Sequence, residues 1–329
     1  MKIVMFGTGP FAVPTFEYLL QSSHSVVELV TRPIDESGQR RKSAANPMQD
    51  VALKFGLPMF DPRDANAQES VAHLKQLQAD LFVVCDYGQI LSSECLGAAR
   101  LGGVNLHGSL LPKYRGAAPI NWAICRGDTV TGVSVIHMTG KLDGGPILTE
   151  EQLTIELGET TAELEPRLSR LGVEPVAQAI ELLATWNGID EIGRPQDPAL
   201  ATHARRLRKD DGLIRWTRPA NRIVDQVRAF QPWPGTFTNL QRPNGQPVRI
   251  IVLRASSIDE EINLQQDPHD SAPPVAQPGK VAYVDKNKLW VHTGRRLLSL
   301  DEVQPAGKKP MPIDTFLRGC LVRAGDQFA

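Results

Sequence analysis

Short apolar runs alternate with amphipathic stretches along the first half of the chain. The apolar runs at 2–6, 26–30 and 80–85 have the length and composition of buried strands. Residues 68–78 lie between two of these runs and carry apolar side chains at helical spacing. This alternation predicts an α/β fold with a doubly wound, mostly parallel, Rossmann-like sheet.

The second half of the chain has a different pattern, in which a helical stretch at 221–230 precedes a series of short alternating runs. These runs lie at 236–240, 248–254, 279–283, 288–292 and 296–304. Five short strands after a helix predict a small C-terminal β-barrel of the OB-like type. Residues 259–278 are rich in Asp, Glu, Gln and Pro, which predicts a disordered loop between two of the strands.

The boundary between the two patterns is polar and contains proline, as linkers often do. We therefore predict a catalytic domain at 1–189, a linker at 190–204 and a barrel domain at 205–329. The length of 329 residues agrees with two domains.

Composition narrows the class of protein. No apolar run reaches the roughly 18–20 residues that a membrane-spanning helix needs, and Gly7, Thr8 and Pro10 interrupt the N-terminal apolar run, which disfavours a signal peptide. The four cysteines are scattered and form no C-x-x-C pair, which disfavours a zinc site or a disulfide framework. These features predict a cytoplasmic protein without a metal.

Charge is unevenly distributed along the chain. The formal net charge is −1, yet residues 203–255 contain eleven Arg or Lys and three Asp, an excess of eight positive charges. This excess favours an anionic partner for the second half of the chain. A solvated arginine-rich face is the alternative interpretation.

The candidate chemistry is concentrated after an apolar run that ends near residue 104. Asn105 and His107 lie there, at the carboxyl end of a predicted strand, where open α/β sheets place their sites. Asp143 follows about forty residues later on a turn that contains two glycines and a proline. Taken alone, the Asn-Leu-His segment at 105–107 favours the alternative interpretation, a polar turn with a buried core histidine.

The glycine turn at 7–12 suggests another class of protein. Its G-x-G-x-x-A spelling matches a dinucleotide-binding fingerprint. The fingerprint expects an acidic residue at the end of the next strand, where this chain has Thr31-Arg32-Pro33. Pro10 also removes a backbone donor at the place where a pyrophosphate would need one. The sequence therefore disfavours a nicotinamide-dependent enzyme.

Several motifs resemble the formyltransferase family that uses 10-formyltetrahydrofolate. In the first half they are Asn-Leu-His-Gly-Ser-Leu-Leu-Pro at 105–112, Arg-Gly-Ala-Ala-Pro-Ile at 115–120 and Leu-Asp-Gly-Gly at 142–145. In the second half they are Leu-Arg-Lys-Asp-Asp-Gly at 207–212, Arg-Ala-Phe-Gln-Pro-Trp-Pro at 228–234 and Gln-Pro-Ala-Gly-Lys-Lys at 304–309. The motifs of the second half favour the branch of the family that formylates methionine on initiator tRNA for translation initiation.

The resemblance implies a role for particular residues. It identifies Asn105, His107 and Asp143 as a catalytic trio. It implies folate contacts from residues around two loops, namely Ser109, Leu110, Leu111, Pro112, Tyr87 and Gly88. It implies tRNA contacts from basic residues of a loop and of the barrel side, namely Arg40, Arg41, Lys42, Arg205, Arg206, Arg208 and Lys209. It implies no metal, no membrane and no obligate protein partner.

The trio suits formyl transfer to an amine, which passes through a tetrahedral oxyanion. An amide such as that of Asn105 can stabilise the oxyanion, an effect worth roughly 3–4 kcal/mol in comparable sites. His107 can relay protons or donate to the same oxygen. Asp143 can orient the imidazole or take the proton of the amine. The sequence leaves this division of roles open.

Three departures from the family pattern stand out, and one of them is Arg215-Trp216, where many relatives have Asp-Trp after the linker. Asp86 lies where the family usually has a small residue before Tyr-Gly, and the loop at 35–47 lacks the glycine- and proline-rich spelling common in relatives. Three alternatives remain: a sibling enzyme that formylates another amine or hydrolyses the folate, a nicotinamide oxidoreductase, and a non-catalytic tRNA-binding module.

Overall fold

A computed structural model describes residues 1–33, 46–242, 245–258 and 277–329. Arg40, Arg41 and Lys42 lie outside the described residues, as does nearly all of the loop predicted to be disordered. The chain forms two compact units. The first comprises Met1–Ala123, Thr129–Ile155 and Glu163–Arg206, and the second comprises Ile124–Asp128, Glu156–Ala162 and Leu207–Ala329.

The first unit is built on a seven-stranded sheet with the strand order β3-β2-β1-β4-β5-β6-β7. Its strands are β1 (Lys2–Gly7), β2 (Ser25–Val30), β3 (Met59–Phe60), β4 (Leu81–Cys85), β5 (Gly103–His107), β6 (Val130–His137) and β7 (Ile147–Thr154). The first five strands pair in parallel, and β6 and β7 are antiparallel. The prediction of a mostly parallel α/β sheet is confirmed.

Seven helices accompany this sheet in the described part of the chain. They are α1 (Val13–Gln21), α2 (Pro47–Phe55), α3 (Gln68–Gln76), α4 (Ser93–Leu96), α5 (Pro119–Cys125), α6 (Thr161–Leu171) and α7 (Val173–Ala184). Both α2 and α4 begin at a residue whose side chain caps the helix. In α2, the Asn46 side chain accepts a hydrogen bond from the Gln49 N–H, and Gly56 ends the helix in the left-handed region.

The parallel strands are apolar because both faces of the sheet are covered. All five residues of β4 are buried, and so are Ile3 to Phe6 of β1. Strands β2 and β3 follow β1 on one side of the sheet, and β4 then pairs with the opposite side of β1. The sheet therefore has its topological switch point between β1 and β4, where open α/β sheets bind ligands.

The second unit is an antiparallel sheet with the path β10-β11-β12-β9-β8, in which β13 pairs with β12. The strands are β8 (Thr236–Arg242), β9 (Gly245–Ile258), β10 (Val281–Val284), β11 (Leu289–His292), β12 (Leu297–Pro305) and β13 (Met311–Pro312). Two helices, α8 (Ala220–Ala229) and α9 (Ile313–Gly319), belong to this unit. The predicted helix and five strands are confirmed, and β13 is a strand that the sequence analysis missed.

The last residues of the second unit join the two ends of this sheet. Phe328 forms a bridge with Leu240 of β8, and Gln327 forms a bridge with Lys280, just before β10. Two backbone hydrogen bonds of 2.9 Å between Asn239 and Ala329 extend the first of these contacts. These contacts partly close the sheet, as the prediction of a small barrel requires. Closure also reduces the number of unpaired backbone groups at the sheet edges.

The segment predicted as a linker belongs to the first unit. Residues 202–204 lie beside residues 112–118 and exchange backbone hydrogen bonds of 2.7–3.2 Å with them. None of the helices in the described parts of the chain has the length and apolar character needed to cross a membrane.

Candidate active site

Strand β5 carries two of the predicted catalytic residues. Asn105 and His107 are two residues apart on the strand and therefore lie on the same face of the sheet. His107 is 5% exposed, and Asn105 is half-buried. Within the described residues, the Asn105 amide makes no side-chain hydrogen bond, so its N–H groups are available to a bound molecule.

The imidazole of His107 is oriented by a backbone carbonyl. Its Nε2 lies 2.9 Å from the carbonyl oxygen of Tyr114. A carbonyl oxygen only accepts hydrogen bonds, so we infer that Nε2 carries the hydrogen and that Nδ1 is the basic nitrogen of the neutral ring.

Asp143 lies on the Nδ1 side of the same ring. Its Oδ2 is 3.8 Å from His107 Nδ1, and the two side chains are 7% and 12% exposed. This separation is too long for a direct hydrogen bond. It is short enough for the carboxylate to stabilise an imidazolium that has gained a proton on Nδ1. The structure thus brings together His107 and Asp143, two members of the trio that the family resemblance implies.

The Asp143 carboxylate is held by a backbone donor and by a tight turn. The Gly116 N–H donates to Asp143 Oδ2 at 2.8 Å. Asp143 itself has a φ of 46°, a left-handed conformation that costs a non-glycine residue energy. At Gly145, a Cβ atom would overlap the carbonyl oxygen of His137, so only glycine fits there.

The predicted folate segment, residues 109–112, is a hydrogen-bonded turn after β5. Ser134 of β6 donates from its hydroxyl to the Ser109 carbonyl at 2.8 Å and accepts from the Leu111 N–H at 3.0 Å. The Ser109 hydroxyl donates to the Lys113 carbonyl at 2.7 Å. Ser109 and Leu111 are buried, whereas Leu110 and Pro112 are partly exposed. The turn is therefore rigid, and Leu110 and Pro112 are its accessible side chains.

The second predicted folate loop divides between core and surface. Tyr87 is 2% exposed and packs edge-on against Phe6, with 5.2 Å between ring centroids. Burial raises the pKa of Tyr87 to about 12, and its hydroxyl has no hydrogen-bond partner within the described residues. Gly88 is exposed, and its carbonyl accepts a hydrogen bond from Arg32. This loop thus offers a ligand Gly88 and backbone atoms rather than the tyrosine ring.

Asp86, the departure noted in the sequence, lies at the switch point. Its carbonyl accepts a hydrogen bond of 3.2 Å from the Thr8 N–H, and its φ is 48°. A Cβ atom on Gly9 would overlap Asp86 Oδ2, so the carboxylate fills the space of a side chain at position 9. Desolvation raises the pKa of Asp86 to about 6, against the opposing effect of Arg32. The residue as a whole is exposed, whereas its carboxylate is packed against Gly9.

Other residues that support the site were missed in the sequence. The Tyr114 N–H donates to the Thr202 hydroxyl at 2.8 Å, and the Arg115 N–H donates to the Thr202 carbonyl at 2.8 Å. Gln196 hydrogen-bonds both Arg115 and the Asp143 turn. A single Thr and a single Gln in a polar stretch carry no pattern that would have identified them.

The described basic residues predicted to contact tRNA are all exposed; they are Arg205, Arg206, Arg208 and Lys209. Arg205 belongs to the first unit, where its guanidinium lies 5.1 Å from the centroid of the Trp122 ring. Arg208 and Lys209 belong to the second unit.

Comparison with known families covers most of the chain. Residues 1–180 match the family model described as "Formyl transferase", and residues 206–321 match "Formyl transferase, C-terminal domain". Among relatives, a protein of Rhodopirellula baltica named methionyl-tRNA formyltransferase is 41% identical over 335 residues, which cover 99% of this chain and 96% of that protein. A protein of Symbiobacterium thermophilum with the same name is 38% identical over 330 residues, covering 100% and 95% of the two chains.

Solved structures share the fold at low sequence identity. An N-formyltransferase from Helicobacter canadensis, in complex with folinic acid and dTDP-3-aminofucose, has a TM-score of 0.63 at 15% identity, covering 91% of this chain and 98% of that one. HypX from Aquifex aeolicus, in complex with tetrahydrofolic acid, has a TM-score of 0.58 at 15% identity, covering 96% and 47%.

Proposed function

Because the chain belongs to the formyl transferase family, we propose that it transfers the formyl group of 10-formyltetrahydrofolate to the α-amino group of methionyl-initiator tRNA. The observation that carries the proposal is the trio: an available amide on Asn105 lies on the same strand face as His107, whose basic nitrogen faces Asp143. Full-length relatives named methionyl-tRNA formyltransferase support the choice of acceptor.

The chemistry begins with attack of the neutral amine on the formyl carbon. The new C–N bond pushes the formyl oxygen into an oxyanion, to which the Asn105 amide donates a hydrogen bond. Such a donor stabilises the charge because it is already oriented before the charge forms. Loss of one comparable donor costs about 10²- to 10³-fold in rate.

His107 then moves the proton. As the amine loses its proton, Nδ1 of His107 accepts it, and the resulting imidazolium lies beside the Asp143 carboxylate. The Tyr114 carbonyl keeps Nε2 in its protonated form throughout, so the ring uses one nitrogen for the transfer. The imidazolium returns the proton to N10 of the folate as the bond between N10 and the formyl carbon breaks. The products are the formylated amine and tetrahydrofolate, and no net proton or electron is consumed.

The folate would bind beside the rigid turn at 109–112, which Ser134 fixes through its hydroxyl. Among the described residues, no cluster of three His, Cys, Asp or Glu side chains could hold a metal ion. The mechanism that we propose relies on the side chains of the trio.

We expect the protein to act in the cytoplasm, where charged tRNA and reduced folate are found together.

The tRNA would bind through phosphates. Four exposed basic residues at 205–209 and the positive excess of residues 203–255 support this part of the proposal. Affinity for methionyl-tRNA should then fall steeply between 50 and 200 mM salt, by about 10³-fold if six phosphates are contacted. An affinity that stays flat over this range would contradict phosphate-driven binding.

The acceptor assay tests the proposal directly. Labelled 10-formyltetrahydrofolate is offered with methionyl-initiator tRNA, with free methionine and with an amino-sugar nucleotide in parallel reactions. We expect label on the methionyl-tRNA at least 100-fold faster than on either small amine. Preferred labelling of the amino sugar would instead identify a sibling enzyme, and release of formate without any acceptor would identify a hydrolase.

A further inference from the structure

The segment that connects the sequence patterns of the two halves is built into the candidate active site. We call residues 194–204 the strap. At its start, Arg194 and Ile147 of β7 exchange two backbone hydrogen bonds of 2.8 Å each. At its end, Ala204 donates to the Arg115 carbonyl at 2.7 Å and accepts from the Ala118 N–H at 3.2 Å. The strap is therefore fixed at both ends within the first unit.

Gln196 uses the full hydrogen-bonding capacity of its amide. Its Nε2 donates to the carbonyl oxygens of Asp143 and Gly145, at 2.8 and 2.7 Å. Its Oε1 accepts from Nε and Nη2 of Arg115, at 3.0 and 2.6 Å. An amide has two N–H groups and an oxygen with two lone pairs, so this side chain matches its four partners completely.

These contacts close a ring around the catalytic carboxylate. Gln196 joins the main chain of the Asp143 turn to Arg115, and Gly116, the next residue, donates its N–H to Asp143 Oδ2. The ring compensates for the left-handed backbone of Asp143, because a strained residue keeps its conformation only when its surroundings hold it there. Gly116 is itself confined, since a Cβ atom there would lie 2.6 Å from the Ala204 carbonyl oxygen.

We propose that Gln196 is a positioning residue for formyl transfer: it holds the Asp143 turn against the loop after β5 and so sets the position of the carboxylate beside His107 Nδ1. The inference rests on the proposed function for its reaction. Gln196 acts through Asp143, as a support for the geometry of that carboxylate.

The first test replaces Gln196 by a side chain of similar length without polar groups. In Gln196→Met, kcat for formyl transfer should fall about 10- to 100-fold, because displacement of a catalytic group by about 1 Å costs up to that much. The KM values for folate and methionyl-tRNA should stay within about threefold. Gln178→Met is the matched control, because Gln178 is exposed on α7 and its side chain bonds only Glu174, at 3.0 Å, among the described residues. The control should retain the wild-type kcat.

A double-mutant cycle separates positioning from general structural damage. If Gln196 acts through the Asp143 carboxylate, Gln196→Met should cost less than threefold in kcat when Asp143 is already Asn. An equal loss in both backgrounds would overturn the proposal, as would an unchanged kcat in Gln196→Met. If Gln196→Met does not fold, Gln196→Glu replaces it. Glu keeps an acceptor for Arg115 but removes both donors to the turn, so the same loss and the same cycle are expected.

A measurement without substrate distinguishes failure of this inference from failure of the proposed function. The Gly116 amide should exchange slowly with solvent in the wild type, because it is bonded to Asp143 Oδ2, and at least tenfold faster in Gln196→Met. Equal exchange rates in the two proteins would overturn the positioning role even if the chain formylates tRNA. If the wild-type chain shows no formyl transfer but Gln196→Met still exchanges the Gly116 amide faster, the role of Gln196 in holding the Asp143 turn is supported and the proposed reaction is rejected.

Discussion

Two aspartates of the first unit have nearly the same backbone and quite different surroundings. Asp143 and Asp86 have φ values of 46° and 48°, and each lies beyond the end of a strand. The Asp143 carboxylate accepts a backbone N–H and faces an imidazole. The carboxylate of Asp86 occupies the space beside Gly9, and desolvation raises its pKa to about 6. The two carboxylates therefore differ in environment rather than in residue type or backbone, and we propose that only Asp143 serves catalysis.

The largest difference should appear in activity. Asp143→Asn keeps the side-chain shape but removes the charge that stabilises the His107 imidazolium, so kcat should fall about 10²- to 10³-fold. Asp86→Asn should change kcat less than threefold, because no contact joins it to the trio in the described residues. Steady-state formyl transfer measures both variants. If Asp86→Asn loses as much activity as Asp143→Asn, the distinction between the two carboxylates fails.

The turn that carries Asp143 provides the next test. Gly145→Ala should lower the free energy of unfolding by about 3 kcal/mol, because its Cβ would overlap the rigid His137 carbonyl. Gly144→Ala is the control, since its Cβ would lie 3.1 Å from the side chain of Lys141 and requires only a small shift. Urea denaturation compares the two. Equal stability of both variants would show that the turn is looser than described.

The space around Asp86 can be tested by exchange of volume. Gly9→Ala should lower the free energy of unfolding by about 1–2 kcal/mol, because its methyl group overlaps the Asp86 carboxylate. Adding Asp86→Ala should recover most of that loss, since it empties the contested space. Thermal unfolding of the two single variants and of the double variant gives the coupling. Additive effects in the double variant would place the carboxylate elsewhere.

The smallest effect concerns pH. The folded protein retains the Asp86 proton up to about pH 6, whereas the unfolded chain loses it near pH 4, so this group makes stability fall as pH rises through that window. Asp86→Asn should remove the fall and be more stable than the wild type at pH 7, by about 1 kcal/mol or less, because solvent partly screens this exposed residue. Two charged groups interact with Asp86: Arg32 opposes the rise of its pKa, whereas burial and, to a lesser extent, the Asp86 charge raise the pKa of Glu165. A difference between the two proteins that stays constant from pH 4 to 7 would reject the raised pKa.

The sequence predicted the architecture because hydrophobic periodicity is a local signal. Strands β1, β2 and β4 and the helix before the barrel follow from spacing alone, within one residue at each end. Asn105, His107 and Asp143 could be predicted as a trio because they belong to motifs that resemble those of the family. The pairing of His107 with Asp143 is a distance across the fold, which the sequence does not contain.

The supporting residues could not be predicted for the same reason. Residues 190–204 were predicted as a linker because they are polar and contain proline, yet Gln196 and Thr202 hold the loop after β5. Gly9 and Asp86 fit together because of side-chain volume at the switch point, and neither position shows this alone. Polar residues are ambiguous in a sequence because exposure and a buried hydrogen bond require the same side chains.

The most direct measurement follows labelled formyl in a single turnover with methionyl-initiator tRNA. The account predicts that the wild-type chain moves the label from 10-formyltetrahydrofolate to the methionine amine, and that His107→Ala and Asn105→Ala bind the tRNA with unchanged affinity but slow transfer at least 100-fold. Transfer at the wild-type rate by either variant, or no label on methionyl-tRNA from the wild type, would contradict the account.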